Sequence, residues 1–242
     1  MTKLSVPKSY DVLADRLRDA ILDDMEEGSR LPTERELVDQ TGLSRGSVRE
    51  ALRKLEVEGL IKPRPGRFGG NIVSRPGNEA MAHFIAQFVR GRRLSLRVLQ
   101  ETRETIEPAL ARLAAFHRTD DDLQRLREIN EQLASPDIDR ARFAELNIDW
   151  HNAVGAASGN DLLEAFLFSI SYGVVTATQN EKYDTEQTRA DAVRAHSRVI
   201  EAIAKRDGDA AFRRMERHVK ATRERVRSQE ESELPIAPPD KI

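Results

Sequence analysis

Apolar residues recur at helical spacing along most of this chain, and that pattern predicts a mainly α-helical protein. Beyond residue 78, alanine, leucine, arginine and glutamate dominate, with almost no strand pattern and few internal prolines. Sequences suited to helix capping mark several ends, for example Thr119 before three aspartates. The predicted helices span residues 79–91, 95–116, 120–133, 139–157, 160–179, 186–206 and 209–228. This arrangement is typical of an all-α antiparallel helical bundle.

The first part of the chain predicts two short helices joined by a tight turn, behind an amphipathic helix at residues 10–25. Thr33 and Glu36 have the spacing of a capping box, and Gly42 permits the sharp turn that ends the first short helix. Ser44 is a suitable N-cap for the second. The apolar residues expected to face the core are Leu13, Leu17, Ala20, Ile21, Leu37, Val38, Val48, Leu52 and Leu55.

Positive charge is concentrated around the second of these short helices. Arg45, Arg49 and Arg53 follow an i, i+4 spacing and share one face, and the first two lie in the turns of a recognition helix that reach base edges. Residues 41–75 hold eight basic and three acidic residues (net +5), whereas residues 8–40 hold five basic and ten acidic residues (net −5). The net charge of the whole chain is only −2, which argues against nonspecific coating of nucleic acid. The distribution indicates one localised DNA-facing surface.

A basic hairpin is predicted directly after this helix. The apolar pairs Leu60-Ile61 and Ile72-Val73 flank a turn that contains three glycines together with proline, lysine and arginine. Such a wing would touch the sugar–phosphate backbone or the minor groove. The alternative is a solvated loop between two domains, but the preceding recognition helix favours the wing. Helices, turn and wing together predict a winged helix-turn-helix, a module that places one helix end in the DNA major groove.

Length and composition narrow the remaining possibilities. The 242 residues have room for two domains, at residues 1–75 and 76–229, followed by a proline-containing tail at 230–242 that we expect to be disordered. The absence of cysteine excludes disulfides, thiolate metal sites and cysteine nucleophiles. No apolar run approaches the ~20 residues needed to span a bilayer, and the N-terminus does not have the pattern of a signal peptide. We therefore expect a cytoplasmic protein without a membrane partner.

The segment LPTERELVDQTGLSRGSVREALRKLEVEGLI, with the glycine-rich hairpin behind it, resembles the DNA-binding domain of GntR transcription regulators. The resemblance covers Ser9 to Val73. Helical spacing had already indicated Arg45 and Arg49, whereas a lone arginine in a capping turn, such as Arg35, is more often a surface residue. The resemblance implies DNA contacts from Arg35, Ser44, Arg45, Gly46, Ser47, Arg49 and, at the wing tip, Gly66.

A metal-binding role for the histidines of the second domain is indicated only by a further resemblance. From spacing alone, a lone histidine in a helical bundle is more often structural than a metal ligand. However, segments beginning at Glu101, Asn147 and Ala195 resemble the FCD-type ligand-binding domain of the FadR subfamily. Many members of that subfamily bind a divalent metal through one carboxylate or asparagine and three histidines. The corresponding positions here are Asn147, His151, His196 and His218.

The nature of these ligands sets the expected metal. Most members have aspartate where this chain has Asn147, and a neutral amide oxygen should bind a cation more weakly than a carboxylate. Imidazole-rich sites suit zinc or nickel. The same resemblance places Arg103 in the effector cavity, where its guanidinium fork would hold a carboxylate. The alternative for Arg103 is a surface ion pair with Glu107. Further candidates for lining the cavity are Tyr172, Thr176 and Gln179.

These features predict a ligand-responsive transcription repressor that senses a small carboxylate and has no enzymatic activity. A homodimer on a palindromic operator is expected, because one recognition helix reads only a few base pairs. Two alternatives are a metal-dependent hydrolase with a DNA-binding appendage and an effector-free architectural protein. The hydrolase is disfavoured because its candidate base, Asp149, is offset from the face of His151 by about 160–200°, given ~100° per helical residue. The sequence also lacks a nucleophile elbow, a phosphate loop and a dinucleotide motif.

Overall fold

The computed structural model describes residues 8–66, 70–178 and 185–226, and within these it describes no side chains for residues 172–178 and 225–226. The chain forms two compact units, Met1–Ala80 and Met81–Ile242. This division falls a few residues after the sequence-based boundary at residue 75, inside a helix. The predicted tail at residues 230–242 lies outside the described residues.

The first unit has the elements of a winged helix-turn-helix, which confirms the predicted fold class. Its two strands are antiparallel, with Ile61 opposite Val73 and Arg64 opposite Gly70. Arg30 adds an isolated bridge to Ile72. The elements are α1 (Ser9–Asp23), α2 (Glu34–Thr41), α3 (Arg45–Val57), β1 (Ile61–Arg64) and β2 (Gly70–Val73).

The helix ends follow the predicted capping chemistry. The Thr33 hydroxyl accepts a hydrogen bond from the backbone N–H of Glu36, whose carboxylate accepts one from the Thr33 N–H. Gly42 ends α2 with a φ of 70°, a left-handed conformation that glycine adopts without strain. The Ser44 hydroxyl accepts from the Ser47 N–H at 3.1 Å and so starts α3. These caps fix the turn between the two short helices.

The core of the first unit lies mainly where α1 packs against α3, and it includes the fully buried Ile21, Val48 and Leu55. Arg75 extends the packing in an unexpected way. Its guanidinium donates hydrogen bonds to the backbone carbonyls of Ile21 at 3.0 Å and Met25 at 2.9 Å. Arg75 was counted above with the DNA-facing charge, and the structure corrects this, because its guanidinium caps the C-terminal end of α1.

The second unit is a helical bundle centred on one long helix. All seven predicted helices are confirmed, and the ends that lie within the described residues are shifted by no more than two residues. The predicted C-terminal ends at residues 179 and 228 lie outside the described residues. None of the described helices combines the length and apolar character needed to cross a membrane. The helices are α4 (Asn78–Gly91), α5 (Leu96–His117), α6 (Asp120–Leu133), α7 (Arg140–Ala156), α8 (Asp161–Thr178), α9 (Glu186–Ala204) and α10 (Gly208–Val226).

Helix α5 occupies the centre because α7, α8, α9 and α10 all pack against it. It continues through Pro108 even though proline cannot donate a backbone hydrogen bond. Alanines at 111, 114 and 115 are fully buried, and their small size lets neighbouring helices approach closely. The same helix also carries buried polar residues, including Gln100, Arg103 and Glu107. Polar side chains on the inward face of a helix are unusual, so these residues of α5 indicate the position of a functional site.

Candidate nucleic-acid interface and histidine cluster

The start of α3 presents two arginines to solvent beside small residues. Arg45 and Arg49 are both exposed, and Gly46 between them carries no side chain. The Arg49 Nε donates to Glu34 Oε2 at 2.9 Å, while 69% of the Arg49 side chain remains exposed. An exposed ion pair of this kind contributes little and can exchange for another anion. The geometry therefore allows both arginines to approach a phosphate or a base edge.

The other cations of the first unit divide into two groups. Arg53 is exposed on α3, and Arg35 is 90% exposed, with its Nε 4.0 Å from Asp39. Lys54, in contrast, pairs with Asp11 of α1 and lies over the Tyr10 ring. Lys54 and Arg75 thus bind partners within the unit. The exposed arginines therefore supply the positive charge that its helices can present to DNA.

The wing adds exposed cations on β1. Lys62 and Arg64 are both exposed, as is Pro63 between them, while Ile61 is buried. Gly66 has a φ of 120°, a conformation that an L side chain rarely adopts, although an added Cβ would meet no atom within 4 Å. The constraint on Gly66 therefore comes from the backbone. Residues 67–69, which complete the turn, lie outside the described residues.

Three histidines meet inside the second unit, one each from α7, α9 and α10. His218 Nε2 lies 3.1 Å from His196 Nε2 and 3.4 Å from His151 Nε2. One nitrogen of each ring lies within 4.8 Å of the other two. The residues are 3%, 0% and 7% exposed for His151, His196 and His218 respectively. The cluster therefore brings three imidazole nitrogens to one buried point, an arrangement suited to a cation.

A buried acid on α5 orients one of these rings. Glu107 Oε2 lies 2.6 Å from Nδ1 of His151, and Glu107 Oε1 accepts a hydrogen bond from Nε of Arg103. A carboxylate at Nδ1 holds the proton there and leaves Nε2 free to bind a cation. The predicted alternative of a surface ion pair is corrected in one respect: Arg103 does pair with Glu107, but the pair is buried, at 10% and 1% side-chain exposure.

The terminal nitrogens of Arg103 complete the arrangement. The pairing of Arg103 with Glu107 uses Nε, and the two terminal nitrogens form no hydrogen bond with another described side chain. An arginine fork with free terminal nitrogens is suited to a planar anion such as a carboxylate. The side chains of Tyr172 and Thr176, and all of Gln179, lie outside the description, so their predicted role in the cavity stays a prediction.

Burial and neighbouring charges together shift the pKa values of Glu107, His151 and His196. Burial alone raises the pKa of Glu107, but Arg103 and His151 outweigh it and lower the pKa to about 2. Burial lowers the pKa of His151, an effect that Glu107 opposes and Arg103 reinforces. Burial also lowers the pKa of His196 well below its ordinary value, and the neighbouring His218 and His151 add to the shift. At neutral pH the site therefore holds an anionic Glu107 beside the neutral imidazoles of His151 and His196.

Several neighbours of the cluster were not identified from sequence. Trp150, fully buried, stacks on the His196 ring with centroids 3.7 Å apart and an interplanar angle of 8°. Glu107 had been considered only as a surface partner of Arg103. Its position one turn after Arg103, within an apolar helix face, was the available signal.

Asn147 lies one turn before His151 on α7 and is partly buried, so helical periodicity places it on the same face.

Comparison with known proteins agrees with this geometry. Residues 98–221 match the family described as the FCD domain, and residues 9–67 match the bacterial regulatory proteins of the gntR family. The chain belongs to the GntR family of transcription regulators. Its FCD domain is of the kind found in the FadR subfamily. Members of this family bind DNA and are not enzymes, which removes the hydrolase alternative.

Individual relatives support the same assignment. The chain is 30% identical over 189 residues to the galactonate operon transcriptional repressor of Escherichia coli K12, covering 76% of this chain and 81% of that protein. It is 32% identical to an E. coli K12 protein named provisionally as the regulator of an L-lactate dehydrogenase operon, with coverage of 86% and 83%. A solved Streptococcus agalactiae GntR structure shares the fold, with a TM-score of 0.62 and 24% identity over 89% of this chain and 99% of that one.

Proposed function

We propose that this GntR regulator is a repressor whose helical domain senses a small carboxylate with the help of a bound divalent metal. The observation that carries the proposal is the buried three-histidine cluster joined through Glu107 to Arg103. The relatives add support, since one is named as a repressor of a galactonate operon and another for an L-lactate dehydrogenase operon. Galactonate and lactate are both hydroxycarboxylates. Because the protein would act on DNA, we place it in the cytoplasm.

The residues present fit a metal ion. Zinc–imidazole bonds of about 2.0–2.1 Å in a tetrahedral site separate the ligand nitrogens by about 3.3–3.4 Å. The observed separations of 3.1 and 3.4 Å between Nε2 atoms are close to that value. His151, His196 and His218 would hold the ion, with Asn147 as the candidate for a fourth, neutral ligand. Zinc or nickel is the preferred occupant, and the ion would supply a Lewis-acidic point for an anionic oxygen.

Arg103 would bind the carboxylate of the effector. Its buried guanidinium is held by Glu107 through Nε, so the fork is oriented before a ligand arrives, and less entropy is lost on binding. A ligand can change DNA affinity only if it binds two arrangements of the protein with different affinity. We propose that effector binding alters the arrangement of the helical domains and thereby the spacing of the two DNA-binding domains.

That coupling requires a homodimer, which would bind a palindromic operator in double-stranded DNA. Phe84 and Phe88 lie one turn apart on α4 and remain 60% and 57% exposed in the single chain. Two large exposed aromatic side chains on one helix face are unusual for a monomer. We therefore propose that this face of α4 contributes to the contact between protomers.

The experiment that tests the proposal measures metal content and effector response together. The purified protein should contain close to one zinc or nickel ion per chain, and a carboxylate found by thermal-shift screening with and without metal should release operator DNA. The double variant His151→Ala, His196→Ala should lose both, whereas His83→Ala should keep its metal, because His83 is exposed on α4 and its hydrogen bond goes to Gln87. A metal-free protein whose double variant still responds would refute the metal-dependent mechanism, and a protein that never responds to a ligand would favour the architectural alternative.

A further inference from the structure

Gln100 is a buried polar residue of α5 that the site described above does not use. Only 1% of the residue is exposed. Its amide nitrogen, Nε2, is buried and has no hydrogen-bond partner among the described residues. Most buried polar groups are hydrogen-bonded, because it is unfavourable to remove a donor from water without giving it an acceptor. A buried amide whose N–H groups have no acceptor therefore indicates a position prepared for a bound group.

Gln100 lies on the same face of α5 as the two residues that lead to the histidine cluster. Arg103 follows it by one turn and Glu107 by two, and all three are buried. At about 100° per residue, the three positions lie within about 60° of one another around the helix. Residues three apart are direct neighbours on a helix surface, with Cβ atoms about 5–6 Å apart. No other side chain of α5 therefore stands between Gln100 and Arg103.

Apolar residues bound this polar segment of α5 at both ends. Leu96, one turn before Gln100, and Ala111, one turn after Glu107, are fully buried. At a rise of about 1.5 Å per residue, the segment from Gln100 to Glu107 extends about 10 Å along the helix. Because Glu107 contacts the histidine cluster, Gln100 lies at the end of the segment that is farther from it. A ligand whose carboxylate is held at Arg103 would thus meet Gln100 on the side remote from the metal position.

The amide of Gln100 is suited to a different group from the guanidinium of Arg103. A primary amide presents a hydrogen-bond donor and an acceptor side by side, whereas a guanidinium presents donors only. A hydroxyl group can accept from the amide N–H and donate to the amide oxygen, so it is the complementary partner. A carboxylate has only acceptor atoms and is better placed against a cation. A hydrocarbon chain would leave the amide unpaired.

We infer that Gln100 binds a hydroxyl group of the effector and thereby selects hydroxycarboxylates over unsubstituted acids of the same length. This inference rests on the proposed function, and it narrows the effector class from small carboxylates in general to hydroxycarboxylates. A site built to pair with a hydroxyl group rejects the analogue that lacks it, since the buried polar group of the protein is then left without a partner. Arg103 would hold the carboxylate, and Gln100 would determine what the rest of the ligand must carry.

The test titrates the full-length, zinc-loaded protein calorimetrically with acids matched in chain length: butanoate against 3-hydroxybutanoate, and hexanoate against gluconate. Wild-type protein should bind the hydroxylated member of at least one pair at least about tenfold more tightly. The Gln100→Met variant keeps an unbranched side chain of similar size but lacks the amide, so it should lose that margin while keeping its zinc. Gln132→Met is the matched control, because Gln132 is exposed on α6, and it should keep the margin.

The melting temperature of the ligand-free protein provides a readout that does not depend on the choice of acid. If the amide of Gln100 has no partner before a ligand binds, Gln100→Met should melt at the same temperature as wild type or higher, since an unpaired polar group is replaced by an apolar one. An amide that a buried water satisfies in the folded protein would have a structural role only. That role predicts a lower melting temperature for Gln100→Met and an unchanged preference among the acids, which would overturn the inference.

The outcomes separate the role of Gln100 from the proposed function. Equal binding of matched acids by wild-type protein, or a margin that survives in Gln100→Met, would overturn the inference and leave carboxylate sensing intact. If the protein takes up no zinc, the metal-dependent mechanism fails, and the same comparison is made with the metal-free protein. A margin that then depends on Gln100 would still support the inference. Failure of every acid to bind would count against both the proposed function and the role of Gln100.

Discussion

Replacement of Arg49 by alanine should weaken specific DNA binding at least tenfold without unfolding the protein. Arg49 is exposed on α3, and its one ion pair, with Glu34, is 69% and 44% exposed at the two side chains. A bidentate contact with a base is worth about 1–3 kcal/mol, and the exposed ion pair that must be exchanged is worth about 0.2–1 kcal/mol. Central values leave about 1.5 kcal/mol per DNA-binding domain, or roughly tenfold. A dimer would lose about this factor twice.

The measurement is a fluorescence anisotropy titration, at fixed salt, of an operator recovered by selection from random DNA. Arg16→Ala serves as the matched control, because Arg16 is exposed on α1 and the variant carries the same change of charge. Glu34→Ala removes the competing carboxylate and should leave affinity equal to or above that of wild type. If Arg49→Ala binds the operator within twofold of wild type while the folded protein retains its thermal stability, the assignment of Arg49 is wrong.

Three further predictions follow from the second unit. Arg103→Lys keeps a positive charge beside Glu107 but removes the fork, so metal content should persist while carboxylate-dependent DNA release is lost; undiminished release would exclude Arg103 from effector binding. Because burial lowers the pKa of His151 and His196, these residues are protonated at a higher pH in the unfolded chain than in the folded protein. The free energy of unfolding of the metal-free protein, measured in urea, should therefore decrease as pH falls below about 6.5, by up to about 1.4 kcal/mol per pH unit for each histidine. A free energy of unfolding that stays constant from pH 7.5 to 5.5 would contradict this. Phe84→Asp with Phe88→Asp should convert the dimer to a monomer in light scattering, and an unchanged mass would place the protomer contact elsewhere.

Local sequence signals predicted the fold well because each is read from neighbouring residues. Thr33 with Glu36, Gly42 and Ser44 define a helix, a turn and a helix within a dozen residues, and the structure confirms them. The seven helices of the second unit are equally visible, because burial of one face imposes its period on the sequence. Even Pro108 did not interrupt the prediction, since the apolar period continues on both sides of it.

The partners of charged residues were harder to predict, because they are often distant in the sequence. Arg75 lies beside the basic wing in sequence, yet its hydrogen bonds reach carbonyls about 50 residues earlier. Glu107 orients a histidine on a different helix, and no spacing along α5 reveals that partner. The three histidines were chosen by family resemblance, and only the packing of α7, α9 and α10 around α5 shows that their rings meet.

Trp150 is the only tryptophan in the chain, and its indole stacks on the His196 ring. Because Trp150 is the single tryptophan, the tryptophan fluorescence of the protein originates at the histidine cluster. Indole emission is sensitive to excited-state proton and electron transfer between the indole and an adjacent imidazole. Occupancy of that cluster can therefore be followed optically in unlabelled protein, without a dye attached to either domain. The natural sequence thus contains a spectroscopic reporter at the point where a signal would originate, and stopped-flow mixing could resolve that step from the later release of DNA.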